Sequence, residues 1–300
     1  MPAPLLIADV PWLLYRAYFS LPKSIAGADG QPVNALLGTV NALLSVLEAR
    51  PSRAVAACFG AEQATYRVAL YPGYHAQREP MPPELAAQWG KAPALLESFG
   101  WTVGTSDELE ADDVMFSFAR AETAADGHAL LLTGDRDLFQ AVGERVAVVT
   151  PGKGGDDPVA IGPEQVRERY GIGPALVPDF IALRGDPSDG LPGAPGVGAK
   201  TAAELLRGYG SLEDVLDAAK AVETPGVGSG EPAMRPRIAA ALREHAEQLH
   251  AFKRIATLVP IEHIVRPADQ ATDYVAGALA AGELGMSQLA KRLERMAVTG

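Results

Sequence analysis

The stretch "ELEADDVMF", residues 108–116, sets four carboxylates (Glu108, Glu110, Asp112, Asp113) in six positions and then turns apolar. Acids also gather in a first helical turn, where free amides and the helix dipole favour negative charge, so alone the stretch reads more readily as a helix start than as a metal site. Three other segments add to it. Asp9 closes the apolar run "LLIAD", Asp135 and Asp137 follow "LLLTG", and Asp186 and Asp189 flank the turn "RGDPSDG". Each of these is an ordinary turn by itself. Together, Asp9, Glu110, Asp112, Asp113, Asp135, Asp137, Asp186 and Asp189 fall where a parallel sheet would gather them. So many like charges within a few ångströms need countercharge. Hard divalent cations supply it, and an all-oxygen donor set favours magnesium or manganese. The histidines are scattered singly, which argues against a zinc site.

Short apolar runs at 4–9, 54–59, 101–105, 128–134 and 146–150 alternate with helical patterns such as "VNALLGTVNALLSVLEA" and "PELAAQWGKAPALLESFG". Continuous apolar strands separated by helices predict a parallel sheet covered on both faces, with its chemistry beyond the carboxyl ends of the strands. After about residue 160 the pattern is helical only and broken by Gly and Pro clusters; "PGVG" occurs at 195–198 and again at 225–228. The expected architecture is an α/β domain followed by an all-helical one. In the helix that "ELEADD" begins, Glu110 and Asp113 share a face, with Asp112 turned about 100° from Asp113.

Twenty-six basic against 37 acidic residues give a net charge of −11, mildly against a polyanionic partner unless the acids are locally neutralised. The single cysteine, Cys58, excludes an intramolecular disulfide and suits a reducing cytoplasm. Asp9 and Arg16 interrupt the apolar N-terminus, which has no basic leader, so neither a signal peptide nor a membrane span is expected.

The motifs "LLIADVPWLLYRAYFSLP", "LEADDVMFSFA", "LLLTGDRDLFQAV" and "IALRGDPSDGLPGAPGVGAKTAAELL" resemble, in order and spacing, the 5′-nuclease family, which comprises the 5′→3′ exonuclease domain of bacterial DNA polymerase I and free-standing flap endonucleases. The resemblance extends through "GQPVNALLG", "YRVALYPGYHAQREPMPPEL" and "IGPEQVRERYG", with a weaker trace in "ELGMSQLAKRLERM". It implies a PIN-like parallel-sheet nuclease domain over 1–172, and over 173–300 a helical DNA-binding domain of the helix–three-turn–helix (helix-hairpin-helix) type whose tail packs back on the first. It further implies two-metal hydrolysis of DNA at a 5′ end or 5′ flap, without base specificity, in replication and repair. Carried over by position, Asp9, Glu110, Asp112 and Asp113 would serve a first metal, and Asp135, Asp137, Asp186 and Asp189 a second. Arg16 matches an arginine near the site. Arg67, Tyr74 and Arg78 match the segment that arches over the substrate strand. The chain is expected to be a cytoplasmic monomer and, ending at residue 300, free-standing.

Three departures bear on the inherited chemistry. Gly60, in "ACFG", stands where the family has an aspartate supporting the first metal, so that site is expected to be weakened, with Glu62 a candidate replacement. His75, in "YHAQR", replaces a lysine assigned to the scissile phosphate; histidine can donate a hydrogen bond but carries less charge. "DVPW" replaces "DGNS" in the first loop. These departures keep open a catalytically weakened DNA-junction binder, and the acidic sheet-end site keeps open a PIN-like RNase. The glycine-rich "GLPGAPGVGAKTAAELL" fails as a P-loop, because its lysine comes one residue late and no strand precedes it. It resembles instead the family's hairpin. There Gly196 and Gly198 would present backbone N–H groups to a DNA phosphate, Lys200 and Thr201 would add donors, and a potassium ion often sits. Arg184, Arg207, Arg235, Arg237 and Arg243 are expected to supply basic surface nearby.

Overall fold

The computed structural model describes residues 3–152, 158–222 and 234–299; the second "PGVG" lies outside them. Six strands, β1 (Leu5–Asp9), β2 (Ala54–Cys58), β3 (Thr102–Gly104), β4 (Ala129–Leu132), β5 (Val146–Thr150) and β6 (Val159–Ile161), form one sheet in the order β3-β2-β1-β4-β5-β6. The first five are parallel and β6 runs antiparallel to β5. The sheet is parallel as expected, and the short antiparallel edge strand is an addition to it. β6 has only three residues and Val159 is exposed, so no apolar run announces it.

The helices are α1 (Val10–Ser20), α2 (Asn34–Ala49), α3 (Thr65–Leu70), α4 (Pro83–Ser98), α5 (Ala111–Ala124), α6 (Pro163–Tyr170), α7 (Val177–Arg184), α8 (Ala199–Tyr209), α9 (Leu212–Ala221), α10 (Pro236–Glu244), α11 (Ala246–Ala256), α12 (Tyr274–Glu283) and α13 (Ser287–Thr299). No helix among the described residues is long and apolar enough to cross a membrane.

Alternation along β1 divides the core. Leu5 and Ile7 pack with Val114 and Phe118 of α5 and with α7, whereas Leu6 and Ala8 pack with α1, α2 and α4. Both faces are therefore apolar, which is why the strand reads as one unbroken hydrophobic run. The second layer also takes Ala281, Met286, Leu289 and Leu293 of α12 and α13. Arg292 of α13 donates to Asn41 Oδ1 at 2.9 Å and to Glu48 Oε1 at 2.7 Å, both on α2. The C-terminal helices thus pack beside α2, in that same layer. From β3 at one edge, α5 carries the chain back across β1 to β4 on its far side. Connections diverge at that point, leaving a crevice at the carboxyl ends of β1 and β4.

Candidate active site

The last residue of β1 does two jobs. Asp9 caps α1, its Oδ1 accepting from Trp12 N at 2.9 Å, and its Oδ2 accepts from Thr133 Oγ1 at 2.7 Å across the crevice. Thr133 Oγ1 in turn accepts from Asp135 N at 2.9 Å, and Asp135 Oδ1 accepts from Asp137 N at 2.9 Å. "TGDRD" is thus a self-braced turn that fixes three carboxylates relative to one another. Sequence reasoning does not single out Thr133; a hydroxyl directly after a strand, beside two acids, is the available signal.

Asp112 enters from the first turn of α5. Its carboxyl is pushed well above the ordinary range by burial, then by the charges of Asp135, Asp9, Asp137 and Glu110. Asp137 is pushed well up by burial and by Asp135, Asp189 and Asp186. Burial raises Asp135 too, against the Asp137 N–H that holds it down. Burial lifts Asp9 to about 6, although the Trp12 N–H and the Thr133 hydroxyl hold it down. Repulsion among carboxylates of this kind measures missing positive charge. The cavity between them is about 30 Å³ and is lined by Asp112, Asp135, Asp137, Asp189, Glu110, Arg67, Tyr74, His75 and Arg78. That is room for one ion or a water or two. Beside it runs a groove of about 570 Å³, sharing Glu110, Asp112, Asp135 and Arg78 with it, adding Asp9, and walled by Trp12, Tyr15, Phe19 and Trp89.

The charge and oxygen-only chemistry of the carboxylates fit divalent cations, but their arrangement is not a finished shell. Among the described residues, no three His, Cys, Asp or Glu side chains are gathered tightly enough to hold an ion as they stand. Magnesium, which keeps several of its waters, suits such a loose carboxylate ring better than an ion needing a closed protein cage.

The structure separates the acids of "ELEADD". Glu108 is exposed. Glu110 caps α5, accepting from Ala64 N at 2.8 Å and from Tyr74 Oη at 2.9 Å, with Arg67 Nη1 at 3.2 Å. Asp113 does not face the cavity with Asp112. It is fully buried, and its Oδ1 accepts from Arg67 Nη2 at 2.9 Å and from Val259 N at 2.8 Å. Its Oδ2 accepts from Glu110 N at 3.3 Å. The expected role of Asp113 at the first metal is therefore corrected: successive helical residues point about 100° apart, and Arg67 already neutralises this one.

Gly60 is confined by backbone. A Cβ there would stand 2.4 Å from Ala111 N, 2.4 Å from the Glu110 carbonyl carbon and 2.6 Å from Leu109 O. The neighbouring Ala61 N–H donates to Leu109 O at 2.9 Å. Here the chain after β2 crosses directly under the entry to α5, and no side chain fits. Glu62 does not compensate, because it lies exposed on the wall of the larger groove and not among the residues lining the carboxylate cavity.

The arch expectation is also corrected. Arg67 and Tyr74 are buried under the site, the first donating through Nε to Ile255 O at 3.0 Å as well as to the acids. His75 is buried, its ring stacked 3.9 Å from that of Tyr74 and its Nε2 3.0 Å from Asp189 Oδ1. Only Arg78 stays exposed, 3.9 Å from the same oxygen. The pairing of Arg67 and Tyr74 with Glu110, 36 residues or more along the chain, has no sequence signature. Arg16 is exposed, its guanidinium 5.7 Å from the Trp12 ring, and lines neither cavity. Asp186 braces its own turn, its Oδ1 accepting from Ser188 N at 2.9 Å and its Oδ2 from Arg184 Nη2 at 3.0 Å, yet its charge still raises Asp135 and Asp137.

Away from the crevice, Gly196 (φ 79°) and Gly198, the residue before α8, each have open space where a Cβ would stand, and Lys200 is exposed. Thr201 is half-buried. The expected basic surface is thinner than the arginine count suggests. Arg184 pairs with Asp186, Arg207 donates to Gly171 O and Arg243 to Ala219 O, while Arg235 and Arg237 are exposed.

Two family profiles match consecutive parts of the chain: "5′-3′ exonuclease, N-terminal resolvase-like domain" over residues 4–171 and "5′-3′ exonuclease, C-terminal SAM fold" over 172–272. A 5′-3′ exonuclease of Mycobacterium tuberculosis is 38% identical over 240 residues, 73% of this chain and 74% of that one. DNA polymerase I of Mycobacterium bovis is also 38% identical over 240 residues, but the chain spans only 26% of it. Two solved structures share the fold. The bacteriophage T5 D15 flap endonuclease, in a pseudo-enzyme-product complex with DNA and metal ions, superposes with a TM-score of 0.65 at 18% identity, covering 98% of this chain and 99% of that one. The catalytic core of Rad2 in complex with DNA substrate gives 0.66 at 12% identity, covering 99% and 92%.

Proposed function

The chain belongs to the 5′-3′ exonuclease family, and from that premise we propose that it is a divalent-metal-dependent phosphodiesterase acting on DNA at a 5′ end or 5′ flap. The observation that carries this reading is the gathering of Asp9, Asp112, Asp135 and Asp137 at the crevice beyond β1 and β4, each raised first by burial and then by neighbouring carboxylates, with Asp186 and Asp189 adding to Asp135 and Asp137. Asp9, Asp112 and Glu110 would hold one ion, and Asp135, Asp137, Asp186 and Asp189 the other, magnesium or manganese in each case. The chemistry such ions supply when bound is activation of water and neutralisation of the leaving phosphate oxygen.

The protein's own groups position and exclude. Thr133 fixes the rotamer of Asp9, and Tyr74 with Arg67 fixes Glu110. Arg78, at the mouth of both cavities, offers an exposed guanidinium fork to a phosphate. The aromatic wall of the larger groove suits an unpaired base, which stacks without sequence preference. At Gly196 and Gly198, open backbone N–H groups beside the start of α8, with Lys200 and Thr201, would hold a duplex phosphate, and a potassium ion would share that hairpin. In this reading residues 1–172 cut and 173–300 hold the duplex, in a cytoplasmic monomer that removes flaps or primers.

A second reading, a junction binder with weakened turnover, is favoured by the closed space at Gly60 and by the engagement of Asp113 with Arg67. Incubation with a 5′-flap duplex and with free single-stranded RNA, in Mg²⁺ and in Mn²⁺, separates the possibilities. Cleavage near the flap junction supports the nuclease, tight binding without cleavage in either metal supports the binder, and preferential cutting of the RNA indicates a PIN-like RNase.

A further inference from the structure

The last two carbonyls of α11, Ile255 O and Ala256 O, lie beyond the helix's own hydrogen-bond ladder. Side chains from the carboxylate site meet both. Arg67 Nε donates to Ile255 O at 3.0 Å, and Gln140 Nε2 donates to Ala256 O at 2.8 Å. The chain that follows stays fastened to the same elements: Leu258 N donates to Gln140 Oε1 at 3.0 Å, Val259 N to Asp113 Oδ1 at 2.8 Å and Ile261 N to Ser117 Oγ at 2.8 Å. Ser117 Oγ in turn donates to Asp113 O at 2.6 Å, inside α5. Residues 255–261, leaving the helical part of the chain, are therefore tied to the start of α5 and to the short 3₁₀ turn Asp137–Ala141.

Gln140 makes the tie at that turn. Besides reaching Ala256 O, its Nε2 donates to Asp137 O at 2.8 Å, while Asp137 N donates to Asp135 Oδ1 at 2.9 Å. Both peptide groups flanking the Asp137 Cα are thus held, which sets the direction in which its carboxylate leaves the backbone. Two N–H donors and an acceptor on one planar neutral group are what this junction uses, and only an amide side chain supplies them.

Resting on the nuclease reading above, we propose that Gln140 is a positioning residue for the reaction, tying Asp137 to the C-terminus of α11 so that the helical part of the chain completes the placing of the site acids as well as holding DNA. Such a brace acts on the reacting geometry. It does not act on affinity for DNA, whose proposed contacts are Arg78, Gly196, Gly198, Lys200 and Thr201.

The test uses the full chain and Gln140→Met, which keeps the length of the side chain and removes its amide. Cleavage of a 5′-flap duplex should lose about 10- to 100-fold in kcat, while KM and the flap affinity in chelator stay within about threefold. Hydrogen exchange of the Leu258 amide, measured without DNA or metal, should quicken at least about tenfold. Arg266→Gln is the stability control, because it removes one of the two arginines that pair with Glu122 at the far end of α5; its kcat should stay within about threefold of the wild type. A kcat within about threefold in Gln140→Met, a rise in KM alone, unchanged Leu258 exchange, or an equal loss of kcat in Arg266→Gln would each overturn the positioning role. A wild type that cleaves in neither Mg²⁺ nor Mn²⁺ overturns the nuclease reading itself, and this role with it. Gln140→Asn, one methylene too short to span the junction, repeats the measurements if Gln140→Met does not fold.

Discussion

Gly60→Asp restores the residue type that resemblance assigns to this position, and it should harm the protein instead of completing an ion site. The new Cβ would sit 2.4 Å from Ala111 N and from the Glu110 carbonyl carbon, and 2.6 Å from Leu109 O. All three are backbone atoms, so no flexible side-chain end can swing aside. Relief requires the chain after β2 to lift from the entry to α5, which stretches the Ala61 N–H to Leu109 O hydrogen bond of 2.9 Å. Overpacking of this kind costs about 1–3 kcal/mol. For a chain of this size each kcal/mol lowers Tm by about 2–4 °C, giving a fall of about 2–12 °C. Because the clash begins at Cβ, Gly60→Ala should lose nearly as much. Thermal unfolding of both variants in chelator, followed by Mn²⁺ titration, checks this. An unchanged Tm in Gly60→Asp together with tighter Mn²⁺ binding would refute the steric argument.

Adjacent aspartates should separate by phenotype: Asp112→Asn should abolish cleavage with Tm held or raised in chelator, because it removes an uncompensated charge, whereas Asp113→Asn should keep cleavage within about tenfold and cost about 1–3 kcal/mol by removing one of the two carboxylates that pair with Arg67, Glu110 remaining. Loss of cleavage in Asp113→Asn without loss of stability would reverse the two roles. Asp9, raised to about 6 from 3.8, holds a proton in the folded state that the unfolded chain has released, so its contribution is fully present below about pH 4 and is lost as pH rises through about 6. In chelator, lowering pH from about 7.5 to 5.5 should therefore recover about 1 kcal/mol from this group, and saturating Mn²⁺ should shrink that gain; a Tm that falls over the same range in chelator would contradict it.

Where the sequence was legible, local patterns carried the information. Strand positions followed from unbroken apolar runs because both sheet faces are covered, and the gathering of Asp9, Asp135 and Asp137 followed from their places directly after strands. Distinguishing Asp112 from Asp113 needed more than helical phase, because what decides it is Arg67, which belongs to another helix and is itself held by Ile255 O. The same holds at Gly60. Its type was visible as a missing carboxylate, but the reason, backbone passing within contact distance, exists only in the folded chain. His75 looked like a weaker lysine on an exposed arch, since nothing in "YHAQR" reports that its ring is buried against Tyr74 and Asp189.

Metal-assisted cutting of DNA by the proposed acids at the ends of β1 and β4 can be followed on a 5′-flap duplex with the wild type and Asp135→Asn, with binding measured on the same substrate. The wild type should cleave close to the junction in Mg²⁺ or Mn²⁺ and stop in chelator, while Asp135→Asn binds within a few fold of the wild type and cleaves at background. Full cleavage by Asp135→Asn, or wild-type cleavage that persists in chelator, would contradict it.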